Sequence, residues 1–283
     1  MNRYIFNNPQ IQKGNRHTIG VKSYRENPLK NLRTMELISV VIPCFGQAHY
    51  LQESVTSIAA QTHGNWEIII VNDGSLDNTT AVVQSLMKMH PDRITLIEKS
   101  NGGLSSARNA GIRLARSEYV FLLDADDRIQ PTMLEKTSSI LDANPRVGFA
   151  YTEIQHFGAR NDIYRLPDFD SATLISIDNI VCGHCLIRKS MWASVGGHNE
   201  AMREGYEDWD FWISCVEAGW QGFCVHEPLL CYRKTAGGML NSANKKRERL
   251  IATIVMNHPN LYDSSTSSWA REVILKSATH DAA

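Results

Sequence analysis

Three carboxylates follow directly after an apolar run near the middle of this 283-residue chain. The run, Tyr119–Leu123, predicts a buried strand, and Asp124, Asp126 and Asp127 come next. Like charges at this spacing repel one another, and each costs free energy to remove from water. A divalent cation removes that conflict, because Mg²⁺ and Mn²⁺ prefer carboxylate oxygen ligands. The pattern therefore predicts a metal site at the carboxyl end of a strand, where open α/β sheets bind ligands. An acidic turn without a metal is the simpler alternative.

A second acidic group, Glu207, Asp208 and Asp210, stands at the start of a helix predicted over about 208–218. Acidic residues are favoured in a first helical turn, because they cap free amides and complement the helix dipole. That structural explanation accounts for one acid more readily than for three. A carboxylate that accepts a proton during a reaction is the functional alternative.

Strand and helix patterns alternate along the first half of the chain. Short apolar, β-branched runs predict strands at 38–42, 66–71, 94–97 and 119–123, with helical periodicity between them. Such alternation predicts an α/β fold with a mostly parallel, Rossmann-like sheet and helices on both faces. Beyond residue 131 the alternation is less regular, and an irregular stretch is predicted over 157–178. The tail is predicted to form short helices, with a Ser/Thr-rich break at 264–268.

The carboxyl ends of parallel strands meet at one edge of a sheet, so the segments that follow them should converge. Those segments supply an aromatic residue, a lone carboxylate, a glycine-rich turn with an arginine, and the acidic cluster. This set suits a nucleotide, with stacking for the base, an acceptor for base or ribose hydrogen bonds, and cations for the phosphates.

The ordered motifs resemble those of family 2 glycosyltransferases, which have the GT-A fold. They are S-V-V-I-P-C-F (39–45), V-N-D-G-S-L-D (71–77), N-G-G-L-S-S-A-R-N-A-G (101–111), D-A-D-D (124–127) and G-Y-E-D-W-D-F-W (205–212). The resemblance covers about 36–238. It implies inverting transfer of a sugar from a nucleotide-diphosphate sugar to a hydroxyl, with Mn²⁺ or Mg²⁺ as cofactor.

The resemblance also implies residue roles. The positions matched to nucleotide binding are Pro43, Phe45, Asp73, Asn101, Arg108 and Asp124. Asp126, with Asp124, matches the metal ligands. Asp208 matches the base that acts on the acceptor hydroxyl, and Glu207 would bind or orient the acceptor.

Structural alternatives stand beside several of these roles. Phe45 could be an ordinary core residue, Asp73 an Asx turn before a glycine, and Arg108 a solvated helix residue. Asp127 is expected to be a loop or capping carboxylate. A third protein ligand for the metal is not identified; His184 and His226 are candidates, although each is expected to be a satisfied structural histidine.

Composition divides the chain into three parts. Residues 1–34 carry seven Lys or Arg against one Glu and predict a weakly ordered basic arm. Residues 35–240 form the predicted GT-A domain, with a nucleotide-binding half at 35–128 and an acceptor half at 129–240. Residues 241–283 form a helical tail.

Charge and hydropathy point to an expected location and to expected partners. The net charge of −1 gives no reason to expect a nucleic acid partner. No apolar run is long enough to span a bilayer, and the first residues lack the core of a secretory signal. A cytoplasmic protein is expected, with reduced cysteines and with the basic arm able to touch the anionic inner face of a membrane. The expected donor is a UDP-sugar, and the acceptor a glycan or a lipid-linked molecule.

Other readings stay open. Cys182 and Cys185 have a spacing seen in zinc sites, which would need Cys224 and His226 as the second ligand pair. A degenerate nucleotide-sugar-binding protein is the non-enzymatic alternative. A sugar nucleotidyltransferase is the other enzymatic one, although residues 43–50 lack the Gly-rich loop with Arg and Lys that it requires. The Q-x-x-R-W motif of processive synthases is missing, so a chain-extending synthase is not expected.

Overall fold

The computed structural model describes residues 35–176, 178–235 and 239–280, so the predicted basic arm at 1–34 lies outside it. The strands are β1 (Ile38–Cys44), β2 (Trp66–Asn72), β3 (Ile94–Glu98), β4 (Tyr119–Leu122), β5 (Arg128–Ile129), β6 (Val147–Gly158), β7 (Ile163–Tyr164), β8 (Leu186–Arg188) and β9 (Gln221–Lys234). The helices are α1 (Ala48–Ala59), α2 (Thr79–Met89), α3 (Leu104–Leu114), α4 (Met133–Ala143), α5 (Ser171–Ser176), α6 (Lys189–Ser194), α7 (Glu207–Glu217), α8 (Met239–Lys245), α9 (Arg247–Asn257) and α10 (Ser264–His280).

One sheet joins all nine strands in the order β3-β2-β1-β4-β8-β6-β9-β5, with β7 paired to β6. The four strands predicted in the first half are present and mutually parallel. Every residue of β1 and β2 is buried, as expected for strands covered on both faces. The predicted α/β fold with a parallel Rossmann-like sheet is therefore confirmed, and antiparallel pairs occur where β8 joins β4 and β6.

The strand order reverses between β1 and β4. The chain moves outward from β1 through β2 to β3 and then returns to place β4 on the other side of β1. Right-handed crossovers put the connecting helices before and after this reversal on opposite faces of the sheet. Ligands of open α/β sheets bind at such a switch point, beyond the carboxyl ends of the strands.

The second half is more regular than the sequence predicted. The expected irregular stretch at 157–178 contains the end of β6, the short strand β7 and helix α5. The predicted break at 264–268 is wrong, because these residues begin α10. Asp263 accepts the amide hydrogen of Thr266 at 2.7 Å, which caps the helix and lets a Ser/Thr-rich first turn form.

The helical tail packs against the rest of the protein. Leu250 and Ile254 of α9 belong to the same buried cluster as the strands of the sheet. Ala252 and Val255 pack with Ala270 of α10 in a smaller second cluster. Within the described residues, no helix combines the length and apolar character needed to cross a lipid bilayer.

Helix α3 approaches the sheet closely at Gly111. A Cβ atom at this position would lie 2.4 Å from Cγ1 of Val41 and 3.2 Å from Cγ2 of Val71. These valines lie in β1 and β2, so the missing side chain sets the distance between α3 and the parallel strands.

We expect Gly111→Ala to lower the free energy of unfolding by about 1–3 kcal/mol, because overpacking forces the helix or the strands to shift. Thermal unfolding followed by circular dichroism would show a melting temperature several degrees lower. Gly64→Ala is the matched control, since its Cβ would meet only the terminal carbon of Met35, at 3.8 Å. Equal melting temperatures for the two variants would contradict this close packing.

Candidate active site

Phe45 and Asp124 stand at the switch point, where β1 and β4 end side by side. The Phe45 side chain is 56% exposed, so the alternative of ordinary core packing is wrong. Pro43 is buried inside β1 opposite Val71 and presents little surface to a ligand. The ring of Phe45 and the carboxylate of Asp124 are therefore open to a ligand at this edge of the sheet.

The carboxylate of Asp73 organises the glycine-rich turn. It accepts the amide hydrogens of Gly102 and Gly103, at 3.0 and 2.9 Å, and pairs with Nζ of Lys99 at 2.6 Å. The side-chain amide of Asn101 donates to the backbone carbonyl oxygen of Asp73 at 3.0 Å. Asp73 and Asn101, both predicted to touch a nucleotide, thus shape the turn that faces the site. Lys99 was missed by the sequence analysis, although its place directly after β3 was a signal.

Arg108 is buried rather than solvated, with 2% of its side chain exposed. Its two terminal nitrogens lie 3.0 Å from Oδ1 of Asp124 and 3.0 Å from Oε1 of Glu207. Burial alone would lower the pKa of Arg108, but the two carboxylates raise it above its ordinary value. Burial would likewise raise the pKa of Asp124, yet the charges of Arg108 and His184 hold it well below its usual range. One guanidinium therefore joins the end of β4 to the start of α7.

Glu207 and Asp208 differ in exposure although they are neighbours. Glu207 is buried, and its burial together with the charge of Asp208 raises its pKa to about 7. Asp208 is half-buried, and burial raises its pKa while Arg108 opposes the rise. Nδ2 of Asn179 donates to Asp208 Oδ2 at 3.1 Å, which fixes the orientation of that carboxylate. Asn179 directly follows the stretch predicted to be irregular, 157–178, and no motif there indicated this contact.

A glycine separates Asp208 from Arg108. A Cβ atom on Gly183 would lie 3.2 Å from Nη2 of Arg108 and 3.5 Å from Oδ2 of Asp208. Because the same guanidinium contacts Asp124, the two acidic groups that are far apart in sequence lie around one cation. The tertiary structure thus brings the predicted base and the predicted metal region into a single site.

A compact ligand group forms at the acidic cluster. Across the ranges that the structure describes, Asp124, Asp127 and His184 are the one group of three or more His, Cys, Asp or Glu whose ligand atoms all lie within 4.8 Å. The alternative zinc site at Cys182, Cys185, Cys224 and His226 is therefore not formed. Asp127 lies in the loop between β4 and β5, as expected, and accepts the amide hydrogen of Arg233 at 2.6 Å. It is only 2% exposed, so it is a buried residue of the site.

Asp126 lies beside this group without being a member of it. Its pKa is raised to about 6 by burial and by the charges of Asp127 and Asp124. His184, expected to be a satisfied structural histidine, has an Nε2 atom with no hydrogen-bond partner of good geometry. Three carboxylates crowded around a buried imidazole nitrogen form a donor set that fits a divalent cation.

We expect Arg108→Met to lower the free energy of unfolding by about 3–5 kcal/mol, since it leaves Glu207 and Asp124 without their buried partner. Chemical denaturation monitored by tryptophan fluorescence would measure the loss. Arg113→Met on the same helix is the control. Arg113 is 58% exposed, and its ion pair with Glu200 is long, at 3.9 Å, so it should contribute little to stability. If the two variants lost equal stability, the buried ion pairs would not be what holds the site together.

Comparison with known proteins identifies the family of this chain. The sequence model of glycosyl transferase family 2 matches residues 39–197, more than half of the chain. The hyaluronan synthase of Pasteurella multocida is 28% identical over 220 residues, which are 76% of this chain and 22% of that protein. The chain thus spans about a fifth of the length of this relative.

Two solved structures share the fold. Residues 1–349 of S. aureus TarS, in complex with UDP-GlcNAc, superimpose with a TM-score of 0.62 at 18% identity, covering 84% of this chain and 71% of that fragment. The mannosyltransferase PcManGT from Pyrobaculum calidifontis, in complex with GDP-Man and Mn²⁺, superimposes with a TM-score of 0.62 at 17% identity. The match covers 87% of this chain and 76% of the chain in that structure. With its GT-A fold, this chain belongs to glycosyl transferase family 2.

Proposed function

We propose that this protein transfers a sugar, with inversion, from a nucleotide-diphosphate sugar to an acceptor hydroxyl during glycan or surface polysaccharide synthesis. The observation that carries the proposal is the arrangement around Arg108. Its guanidinium contacts Asp124 of the acidic cluster and lies across Gly183 from Asp208. A site for a charged leaving group and a carboxylate able to act as a base are therefore held at a fixed separation.

The two acidic regions take separate tasks. Inverting transfer is a single displacement, in which the acceptor oxygen bonds to the anomeric carbon as the carbon–oxygen bond to the diphosphate breaks. The acceptor proton passes to the half-buried carboxylate of Asp208, which is oriented by Asn179. A divalent cation at the acidic cluster would neutralise charge that develops on the departing diphosphate. Glu207, pinned by Arg108, orients the acceptor side of the site.

The donor is proposed to be a UDP-sugar. The exposed ring of Phe45 offers a surface on which a base can stack. TarS and PcManGT, which share the fold, bind UDP-GlcNAc and GDP-Man respectively. The acceptor is proposed to be a glycan or a lipid-linked molecule, recognised by the half of the chain that carries Asn179 and α7.

The two alternative functions fit the site less well. A degenerate binding protein would need neither an oriented Asp208 nor a complete acidic cluster, and both are present. A nucleotidyltransferase would use a loop rich in Gly, Arg and Lys after β1. Here Cys44 is followed by an exposed phenylalanine and the start of α1.

We expect Asp126→Asn to weaken Mn²⁺-dependent UDP binding at least ~10-fold while leaving the fold intact, because it removes a charge beside the cation. Isothermal titration calorimetry with UDP, with and without Mn²⁺, would measure this. Asp92→Asn is the control, since Asp92 is exposed and its left-handed backbone conformation also suits Asn. Wild-type affinity in the Asp126 variant, or no effect of a chelator on the wild type, would refute the metal assignment.

We expect Asp208→Asn to keep UDP and Mn²⁺ affinity near wild type and to lower transfer at least the ~10²-fold typical of a lost general base. Glu207→Gln should cost less and act mainly on acceptor use. Proton NMR of the anomeric centre should show a β-linked product from an α-linked donor. A retained α-linkage, or near-normal turnover of the Asp208 variant, would overturn the proposed mechanism.

A further inference from the structure

His184 occupies a buried position directly behind the acidic cluster. It lies before β8, is 4% exposed, and its ring meets that of Tyr232 edge-on, with centroids 5.8 Å apart. Its Nε2 atom is 3.3 Å from Oδ2 of Asp124 and 2.9 Å from Oδ2 of Asp127. A nitrogen and two oxygens from three separate side chains therefore point at one small volume.

These separations match those between neighbouring ligands of one metal ion. Bonds of about 2.1 Å at right angles put adjacent ligand atoms about 3.0 Å apart. The two observed distances, 2.9 and 3.3 Å, fall around that value without any movement of the side chains. Asp126 is not part of the compact group, so binding through Asp126 would require its carboxylate to approach.

One oxygen of each aspartate in the group already has a partner. Oδ1 of Asp124 accepts from Arg108, and Oδ1 of Asp127 accepts from the amide of Arg233. By contrast, Oδ2 of Asp127 and Nε2 of His184 are both buried with no hydrogen-bond partner of good geometry. The two atoms lie 2.9 Å apart, which suits an ion pair if His184 is protonated, and a shared cation would satisfy both of them.

We propose that the divalent cation of this site is held through the imidazole nitrogen of His184, together with Asp124 and Asp127. The inference rests on the proposed function and specifies the ligands of its metal. A nitrogen ligand disfavours Mg²⁺, which prefers oxygen alone, and favours a transition metal such as Mn²⁺. The opposing interpretation is a protonated His184 that bridges the two carboxylates and binds no metal.

Electron spin echo envelope modulation on the full-length protein with Mn²⁺ and UDP distinguishes these two interpretations. A nitrogen bonded to Mn²⁺ should give modulation that changes when the protein is labelled with ¹⁵N-histidine. The wild-type spectrum decides the question without any variant. A spectrum with no histidine nitrogen coupling would overturn the proposal.

Isothermal titration calorimetry with Mn²⁺ is the second measurement of the role of His184. His184→Ala should weaken Mn²⁺ binding at least ~10-fold and abolish the nitrogen signal. His226→Ala is the control, because its half-exposed ring pairs with Asp168 away from the cluster, and it should change neither. UDP binding with Mn²⁺ but no nitrogen coupling would refute the role of His184 and leave the proposed function standing. Failure of the wild type to bind UDP, GDP or their sugars, with or without Mn²⁺, would instead refute the proposed function.

Discussion

The site depends on the buried guanidinium of Arg108. An arginine side chain stays protonated in a protein, so its burial requires carboxylates close by. Asp124 and Glu207 meet that need from two different parts of the fold. The requirement for charge balance therefore fixes α3, the end of β4 and the start of α7 relative to one another. Helix α7 is also held from the tail, where Asn257 donates to Asp210 at 2.7 Å.

Negative charge nevertheless exceeds positive charge around Arg108. Five carboxylates lie around Arg108 and His184, those of Asp124, Asp126, Asp127, Glu207 and Asp208. Burial, together with the charges of neighbouring carboxylates, raises the pKa of Asp126 to about 6 and that of Glu207 to about 7. A bound cation is the largest local charge a site can have and would reverse this effect. This excess of negative charge therefore favours the binding of a metal cation, which in turn would attract the diphosphate.

The first half of the fold could be predicted from the sequence, because three of its four strands, β1, β2 and β4, are mainly apolar runs buried along their whole length. The same was not true of 157–178 and 264–268. There, short strand pairing and a capping Asp263 decide the structure, and both depend on contacts that a local pattern does not contain.

For the site, the sequence by itself determined the chemical groups: the acidic cluster after β4, the Glu207–Asp208 pair and the aromatic residue after β1. Each follows a recognisable strand or begins a helix, so its type and spacing were sufficient. The tertiary structure alone decided that Arg108 is an internal ion-pair partner, that Asp73 shapes a turn, and that His184 faces Asp127. These roles arise because residues distant along the chain are brought within 3 Å of one another, and the partner of a buried charge is set by packing rather than by its sequence neighbours.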